Sequence, residues 1–383
     1  MKISVIGSGQ IGSVIASLLC KDPEIDAVAL IDHNGNALTD AVEKLNSKKI
    51  KAHKIEIEHY DDLSTILAQT DCIISALPPH LNRKITKLAL KLGKHYVDLG
   101  GSDITLDQQL ALHEEAVQKK CWLVPYAGFA PGLANILAMQ AANELDETES
   151  ITIYGGGLPI HPEPPFYFQM NFSPIGLVKE YVEPATVIRN GKLIKVDALS
   201  DYEEISIPVE GKQIELEAFV VSGRISSLAR LLNGKISNLS YKVLRYKGHK
   251  NLLDVFGSLG FLSNNLIDVR TNTTFQDLFI RQLTKYLPKG NPDFVLARIE
   301  AKGLIKGTRK TICYSFEEMF KNKYEHTALA HCSAISAIVT SKLLINGALA
   351  GQGGASAPEG IIPYQSFIDE LSKFDLHIKR EEF

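Results

Sequence analysis

The chain has 383 residues, 45% of them hydrophobic and 22% charged, with a net charge of −3, which predicts a globular protein of two domains rather than one core. The near-neutral charge gives no electrostatic reason to expect nucleic acid or an anionic membrane as partner, and no uninterrupted apolar stretch reaches the ~18–20 residues of a membrane span. Cys20, Cys72, Cys121, Cys313 and Cys332 stand singly, with no CxxC and no HExxH. That pattern predicts buried thiols in a reducing cytoplasm and no structural or catalytic metal.

The opening MKISVIG lacks the basic-then-apolar order of a signal peptide and reads directly as a strand, Lys2–Ile6, ending at Gly7. Ile11, Val14, Ile15, Leu18 and Leu19 follow at helical spacing. Strands are predicted at Ala27–Ile31, Lys51–Ile57, Cys72–Leu77, His95–Leu99 and Cys121–Pro125. Helices are predicted at Ala37–Leu45, Leu63–Ala68, Asn82–Leu92 and Thr105–Lys119. Six strands alternating with helices make a Rossmann-type, doubly wound parallel sheet over residues 1–128. Past Gly128-Phe129-Ala130-Pro131-Gly132 the pattern changes. A helix at Leu133–Glu144, a strand at Ser150–Tyr154, a Gly/Pro-rich loop, and hairpins at Asn190-Gly191 and Glu210-Gly211 predict an α+β domain over 129–325. Strands at Val295–Ala301 and Thr308–Ser315 complete its mainly antiparallel sheet. The segment 326–383 is expected to be a buried helix, His326–Ile345, packing back on the first domain, followed by a tail whose Gly351–Gly354 reads as a loop.

Gly7-Ser8-Gly9-Gln10-Ile11-Gly12 is a GxGxxG run leaving a predicted strand and opening a predicted helix, the context that gives this pattern meaning. Gly7 permits the turn, Gly9 lets the backbone approach a pyrophosphate, and Gly12 lets helix and sheet pack closely. The helix N-terminus offers free N–H groups and partial positive charge to phosphates. Asp32 lies twenty residues past Gly12, where a carboxylate accepts the ribose hydroxyls and repels a 2′-phosphate, favouring NAD over NADP. Ala76-Leu77-Pro78 after the fourth strand and Gly100 after the fifth lie at strand ends, where ligands of open α/β sheets bind.

The runs GSGQIG, VDLGG (97–101), GFAPGLANILA (128–138) and GGGLPIHPEPP (155–165) resemble the saccharopine dehydrogenase-like oxidoreductases, and within them the lysine 6-dehydrogenase group. Weaker matches are FSPIGLV (172–178), VIRNGK (187–192), LEAFVVSG (216–223) and LRYKGH (244–249). The resemblance implies NAD(P)-linked oxidation of a C–N bond in an amino acid, giving an imine or semialdehyde. The alternative within it is a saccharopine- or opine-type dehydrogenase, and a homo-oligomer, dimer or dimer of dimers, is implied as well. Three positions depart from the pattern: Tyr126 stands where the lysine enzymes carry an acid, Arg224 where they carry glycine, and Ile175 where saccharopine reductases carry arginine. The departures at Tyr126 and Arg224 keep open a non-catalytic NAD-binding regulatory protein, and Ile175 bears on the binding of a second, glutarate-like carboxylate.

Hydride removal from an amine-bearing carbon needs a neutral amine and a cation for the substrate carboxylate. Arg224, in a small-residue turn, is the candidate clamp, against the plainer role of partner to an acid. His161 between prolines is a candidate proton relay or a solvent-facing loop residue. Tyr126, after the sixth strand, is either a catalytic neighbour of the nicotinamide or a core tyrosine. His80 is a candidate pocket residue or a helix cap, and Glu163 an ammonium partner or a loop acceptor. Tyr246, in the basic turn Arg245-Tyr246-Lys247-Gly248-His249, is a candidate substrate contact or part of a solvated hairpin.

Overall fold

The computed structural model describes residues 1–321 and 326–383. They form two compact units, Met1–Gln140 with Ala330–His377, and Ala141–Leu329 with Ile378–Phe383. The first unit therefore runs past 128 and takes in the helix of the GFAPG stretch, while the boundary expected after residue 325 falls outside the described residues.

The first unit opens with β1 (Lys2–Ile6), α1 (Gln10–Lys21), β2 (Ala27–Asp32), α2 (Gly35–Leu45), β3 (Ile50–Lys54), α3 (Tyr60–Leu67), β4 (Cys72–Ser75) and α4 (Pro79–Leu92). It continues with β5 (His95–Asp98), α5 (Asp103–Leu110), α6 (His113–Gln118), β6 (Trp122–Val124) and α7 (Leu133–Asn143). The six strands lie parallel in the order β6-β5-β4-β1-β2-β3, as in the doubly wound, Rossmann-type sheet predicted from the alternation of elements. Helices on both faces explain why β1 and β4 read as unbroken apolar runs: Ile3, Val5, Ile73 and Ile74 are all fully buried. The single helix expected over Thr105–Lys119 is two, α5 and α6. The His113 ring at the break lies 3.1 Å from both the carbonyl and the N–H of Ala355.

The second unit contains β7 (Glu147–Pro159), α8 (Pro174–Val182), β8 (Ala185–Arg189), β9 (Lys192–Val196), β10 (Glu203–Val209), β11 (Lys212–Val220), α9 (Ser226–Leu232) and β12 (Asn238–Tyr246). Then come α10 (His249–Ser258), β13 (Leu266–Asp268), β14 (Thr273–Thr274), α11 (Phe275–Tyr286), β15 (Asp293–Ile305) and β16 (Thr308–Met319). The chain ends with α12 (Ala328–Ile345), β17 (Gly354–Ala355), α13 (Tyr364–Leu371) and β18 (Lys379–Glu382).

The second sheet has nine strands, with β10-β11-β12-β7-β15-β16-β18 as its main path. Its pairs are antiparallel except β12 with β7. Both predicted hairpins form, β8–β9 around Asn190-Gly191 and β10–β11 around Glu210-Gly211. One expectation fails here: Gly155-Gly156-Gly157 is not loop but the middle of β7. A methyl group on Gly156 would stand 2.7 Å from the Leu244 carbonyl oxygen, so glycine lets β12 pack this closely. Likewise Gly354 is not loop, because β17 adds a seventh parallel strand beside β6.

Helix α12 corrects the hydropathy reading. Its 18 residues are long and apolar enough to cross a membrane, but 89% of them are buried within the fold. Lys342 on it is 2% exposed and is paired with Asp22, Glu24 and Glu370 at 2.8, 2.7 and 3.2 Å. A buried cation needs such partners.

Candidate functional site

The β1–α1 turn carries the glycine geometry predicted for it. Gly7 has φ +101°, and a methyl on Gly12 would lie 1.9 Å from the Gly7 carbonyl oxygen. A methyl on Gly9, by contrast, would meet nothing within 4 Å. Gly7 and Gly12 therefore serve packing, while the space beside Gly9 is a cradle free of protein atoms, next to the first N–H groups of α1. Asp32, at the end of β2, accepts hydrogen bonds from Ser8 N–H (2.6 Å), the Ser8 hydroxyl (2.9 Å) and Asn34 N–H (2.8 Å). Burial opposes its ionisation, but these bonds and His33 outweigh it and hold the carboxyl below the usual range. The group is therefore an anion, as ribose recognition requires. These residues fit a dinucleotide: Gly7 to Gly12, with Ser8, Gln10 and Ile11, would hold its phosphates, and Asp32 its adenosine ribose. Ala76, Leu77 and Pro78 lie at the end of β4, where Ala76 N–H donates to the Ile6 carbonyl (2.8 Å).

At the end of β5 the sequence reading missed the organising group, Asp98. It is fully buried and accepts from Gln109 Nε2 (2.6 Å), Gly100 N–H (2.8 Å), Tyr96 OH (3.0 Å) and Tyr126 N–H (3.2 Å). Burial pushes its pKa up, and these four donors oppose the shift. Tyr126 is 1% exposed, has φ +67°, and donates its hydroxyl to Asp103 (3.4 Å). Its ring would stand 2.3 Å from a methyl on Gly100, so Gly100 is glycine because the tyrosine occupies that space. The core reading of Tyr126 is the one the geometry favours.

The second unit concentrates its buried charge on one face of its sheet. Residues alternate faces along a strand. The pairings of Phe219 with Val243, Glu217 with Arg245 and Val243 with Gly155 therefore put Glu217, Tyr241, Arg245, Gly155 and Gly157 on one face. The other face is the apolar cluster of Leu158, Leu216, Ala218, Leu244, Phe294 and Leu296, with Tyr246 packed against it. Tyr246 thus faces away from Arg245 and donates its hydroxyl to the Pro159 carbonyl (2.9 Å), and burial pushes its pKa up to about 12. The expected substrate contact is a packing residue.

On the charged face, Arg224 is ion-paired with Glu180 of α8 and lies 5.7 Å from the Phe172 ring centroid and 5.8 Å from that of Tyr241. Burial pulls its pKa down. Arg245 donates Nε–H to Tyr181 OH (3.0 Å) and sits 4.5 Å over the Phe168 ring; its terminal nitrogen is 4.0 Å from the second Glu180 oxygen. His249 Nε2 meets the same Tyr181 hydroxyl at 3.0 Å. Burial first, and then Arg245, push the His249 pKa down to about 3, so it is a neutral hydrogen-bond relay. Glu217 accepts Gly248 N–H (3.0 Å) and Lys250 N–H (2.5 Å) at the start of α10. Of the three basic side chains of the turn, Lys247 is solvated and paired with Glu204 and Glu215, while Arg245 and His249 are each 2% exposed.

The remaining candidates lie outside this cluster. His161 and Glu163 are exposed on the loop after β7, where the Glu163 carbonyl accepts Tyr167 N–H (2.9 Å). His80 is exposed in the first turn of α4, and the cap position it was a candidate for belongs to Pro78. Sequence reading missed Glu180 and Tyr181, and from the basic turn it singled out Tyr246 rather than Arg245. A signal existed for Glu180, which stands inside the buried stripe Leu177, Val178 and Tyr181, where an acid is unusual unless paired.

A family model described as the saccharopine dehydrogenase NADP binding domain matches residues 3–124, and one described as the saccharopine dehydrogenase C-terminal domain matches 128–376. Alpha-aminoadipic semialdehyde synthase, mitochondrial, of Mus musculus is 26% identical over 281 residues, 68% of this chain and 28% of its own length. Saccharopine dehydrogenase (NADP+, L-glutamate-forming) of Schizosaccharomyces pombe is 24% identical over 153 residues, 38% of this chain and 33% of its own. The chain thus aligns with less than two thirds of these curated relatives. The structure of apo histidine-tagged saccharopine dehydrogenase (L-Glu forming) from Saccharomyces cerevisiae shares the fold, with a TM-score of 0.79 over 100% of this chain and 99% of that one at 16% identity. With a dinucleotide cradle in one unit, a buried charged sheet face in the other, and both family models matched in order, the chain belongs to the saccharopine dehydrogenase family of NAD(P)-binding oxidoreductases.

Proposed function

We propose that the protein is an NAD-dependent amino-acid dehydrogenase acting at a CH–NH carbon, with a saccharopine-type secondary amine as substrate. The observation that carries this is a pair of guanidiniums, buried Arg245 and partly buried Arg224, on one sheet face with Glu180 between them. Arg224 can bring the planar fork that pairs bidentately with carboxylates to a substrate carboxylate in place of, or beside, Glu180. The substrate nitrogen must be neutral to release hydride from its carbon, and His249, with a pKa of about 3, is a hydrogen-bonding neighbour rather than the base. The bound nicotinamide supplies the hydride acceptor. Asp32 supports NAD over NADP, because its carboxylate would repel a 2′-phosphate.

A second reading, oxidation of L-lysine at its ε-carbon, is favoured by Ile175. This residue is apolar and 53% exposed at the start of α8, where the saccharopine-type pattern would place a further cation. NADH formation from L-saccharopine and from L-lysine at alkaline pH separates the two. Turnover of neither, with NAD(H) still bound, would support a non-catalytic role.

A further inference from the structure

Between the two arginine-bearing aromatics, Phe168 and Phe172, lies Asn171. It is 1% exposed, and neither atom of its carboxamide has a hydrogen-bond partner. Two residues earlier Gln169 donates Nε2–H to the Asn291 carbonyl (3.0 Å) and leaves Oε1, also enclosed, unpartnered. Buried amides are nearly always satisfied, and one left open marks a place where something else binds. The site is also built to hold the amide. Gly157 lies beneath it, and a methyl there would stand 3.4 Å from Asn171 Nδ2 and 3.2 Å from the Leu329 side chain. The second glycine of β7 on this face thus lies against the amide, on the same face as Arg245.

We infer that Asn171 is a specificity-determining residue that reads the α-amino-acid head of the substrate. Its Nδ2 donates to a carboxylate oxygen, its Oδ1 accepts from the α-ammonium, and Gln169 Oε1 is a second acceptor for that ammonium. A zwitterionic head satisfies all three open atoms together, which neither a simple anion nor a cation does. The assignment rests on the amino-acid reading above.

Asn171→Leu keeps the volume and removes the polar atoms. An unpaired buried amide is costly, so the ligand-free variant is expected to melt at the same temperature as the wild type or a few degrees higher. Its NADH affinity should stay within about twofold. The KM for whichever of L-saccharopine or L-lysine the wild type oxidises should rise at least about tenfold, with kcat changing much less. An unchanged KM overturns the inference, whereas failure of the wild type to oxidise either amino acid overturns the functional reading instead. If Asn171→Leu loses stability and affinity together, Asn171→Asp decides, since it keeps the shape and an acceptor oxygen and replaces only the Nδ2 donor. A raised KM in that variant supports the assignment, and an unchanged one shows the amide to be structural, satisfied by ordered water.

Discussion

The two units make their sites in different ways. In the first, the cradle is backbone: a turn at Gly7, a helix N-terminus and space beside Gly9, with one carboxylate, Asp32, at a strand end. In the second, the site is side chain: Arg245 comes from a strand, Glu180 and Tyr181 from a helix, and Arg224 and Asn171 from two connecting segments, and they meet on one sheet face. A backbone site is encoded by residues a few positions apart. A side-chain site depends on the register of strands up to about a hundred residues apart, so its chemistry is set by folding.

Substitutions can break this contrast, and the largest effect is expected at Gly12. A valine there meets the Gly7 carbonyl at 1.9 Å, and NADH binding should fall at least about 100-fold, with loss of the cooperative fold by circular dichroism. Gly9→Ala sharpens the point: with no protein atom within 4 Å, it should melt normally while NADH affinity falls, because only ligand space is filled.

Next is Glu180→Ala. It strips the carboxylate from Arg224 and Arg245 and should destabilise the protein by about 3–5 kcal/mol in urea, as removing one partner of a buried pair does. Replacement of Glu180 with no loss of stability would show that the cluster is hydrated rather than desolvated.

His249 gives the pH test. Its folded pKa of about 3 lies below the ordinary 6.5, so on acidification the unfolded chain takes up a proton that the folded chain refuses. Stability is lost as pH falls from 6.5 towards 3, and by pH 4.5 the loss is about 2–3 kcal/mol. His249→Gln should remove that part of the slope.

Asp32→Ala should move the ratio of kcat/KM for NADP+ over NAD+ upward by about 10- to 100-fold, about 1.4–2.7 kcal/mol. An unchanged ratio would show that the carboxylate, already bonded to Ser8 and Asn34, serves the turn alone. The smallest effect is expected at His161 and Glu163, where alanine should shift stability by less than about 0.5 kcal/mol. A kcat loss above about tenfold in His161→Ala would bring the exposed loop into the reaction.

Local signals in the sequence were enough for the parallel sheet, the hairpins at Asn190-Gly191 and Glu210-Gly211, and the glycine cradle with Asp32. Each of these rests on residues a short distance apart, where periodicity and turn chemistry act. The tertiary structure decided that Gly155-Gly156-Gly157 is strand, that Tyr246 turns to the apolar face while its neighbour Arg245 turns to the charged one, and that Tyr126 packs on Gly100. It also decided that Arg224 shares Glu180 with Arg245 and that Asn171 is left without a partner. The reason is the twofold alternation of a strand. One residue of register sends a side chain to the opposite face, and that register is fixed by partner strands far along the chain.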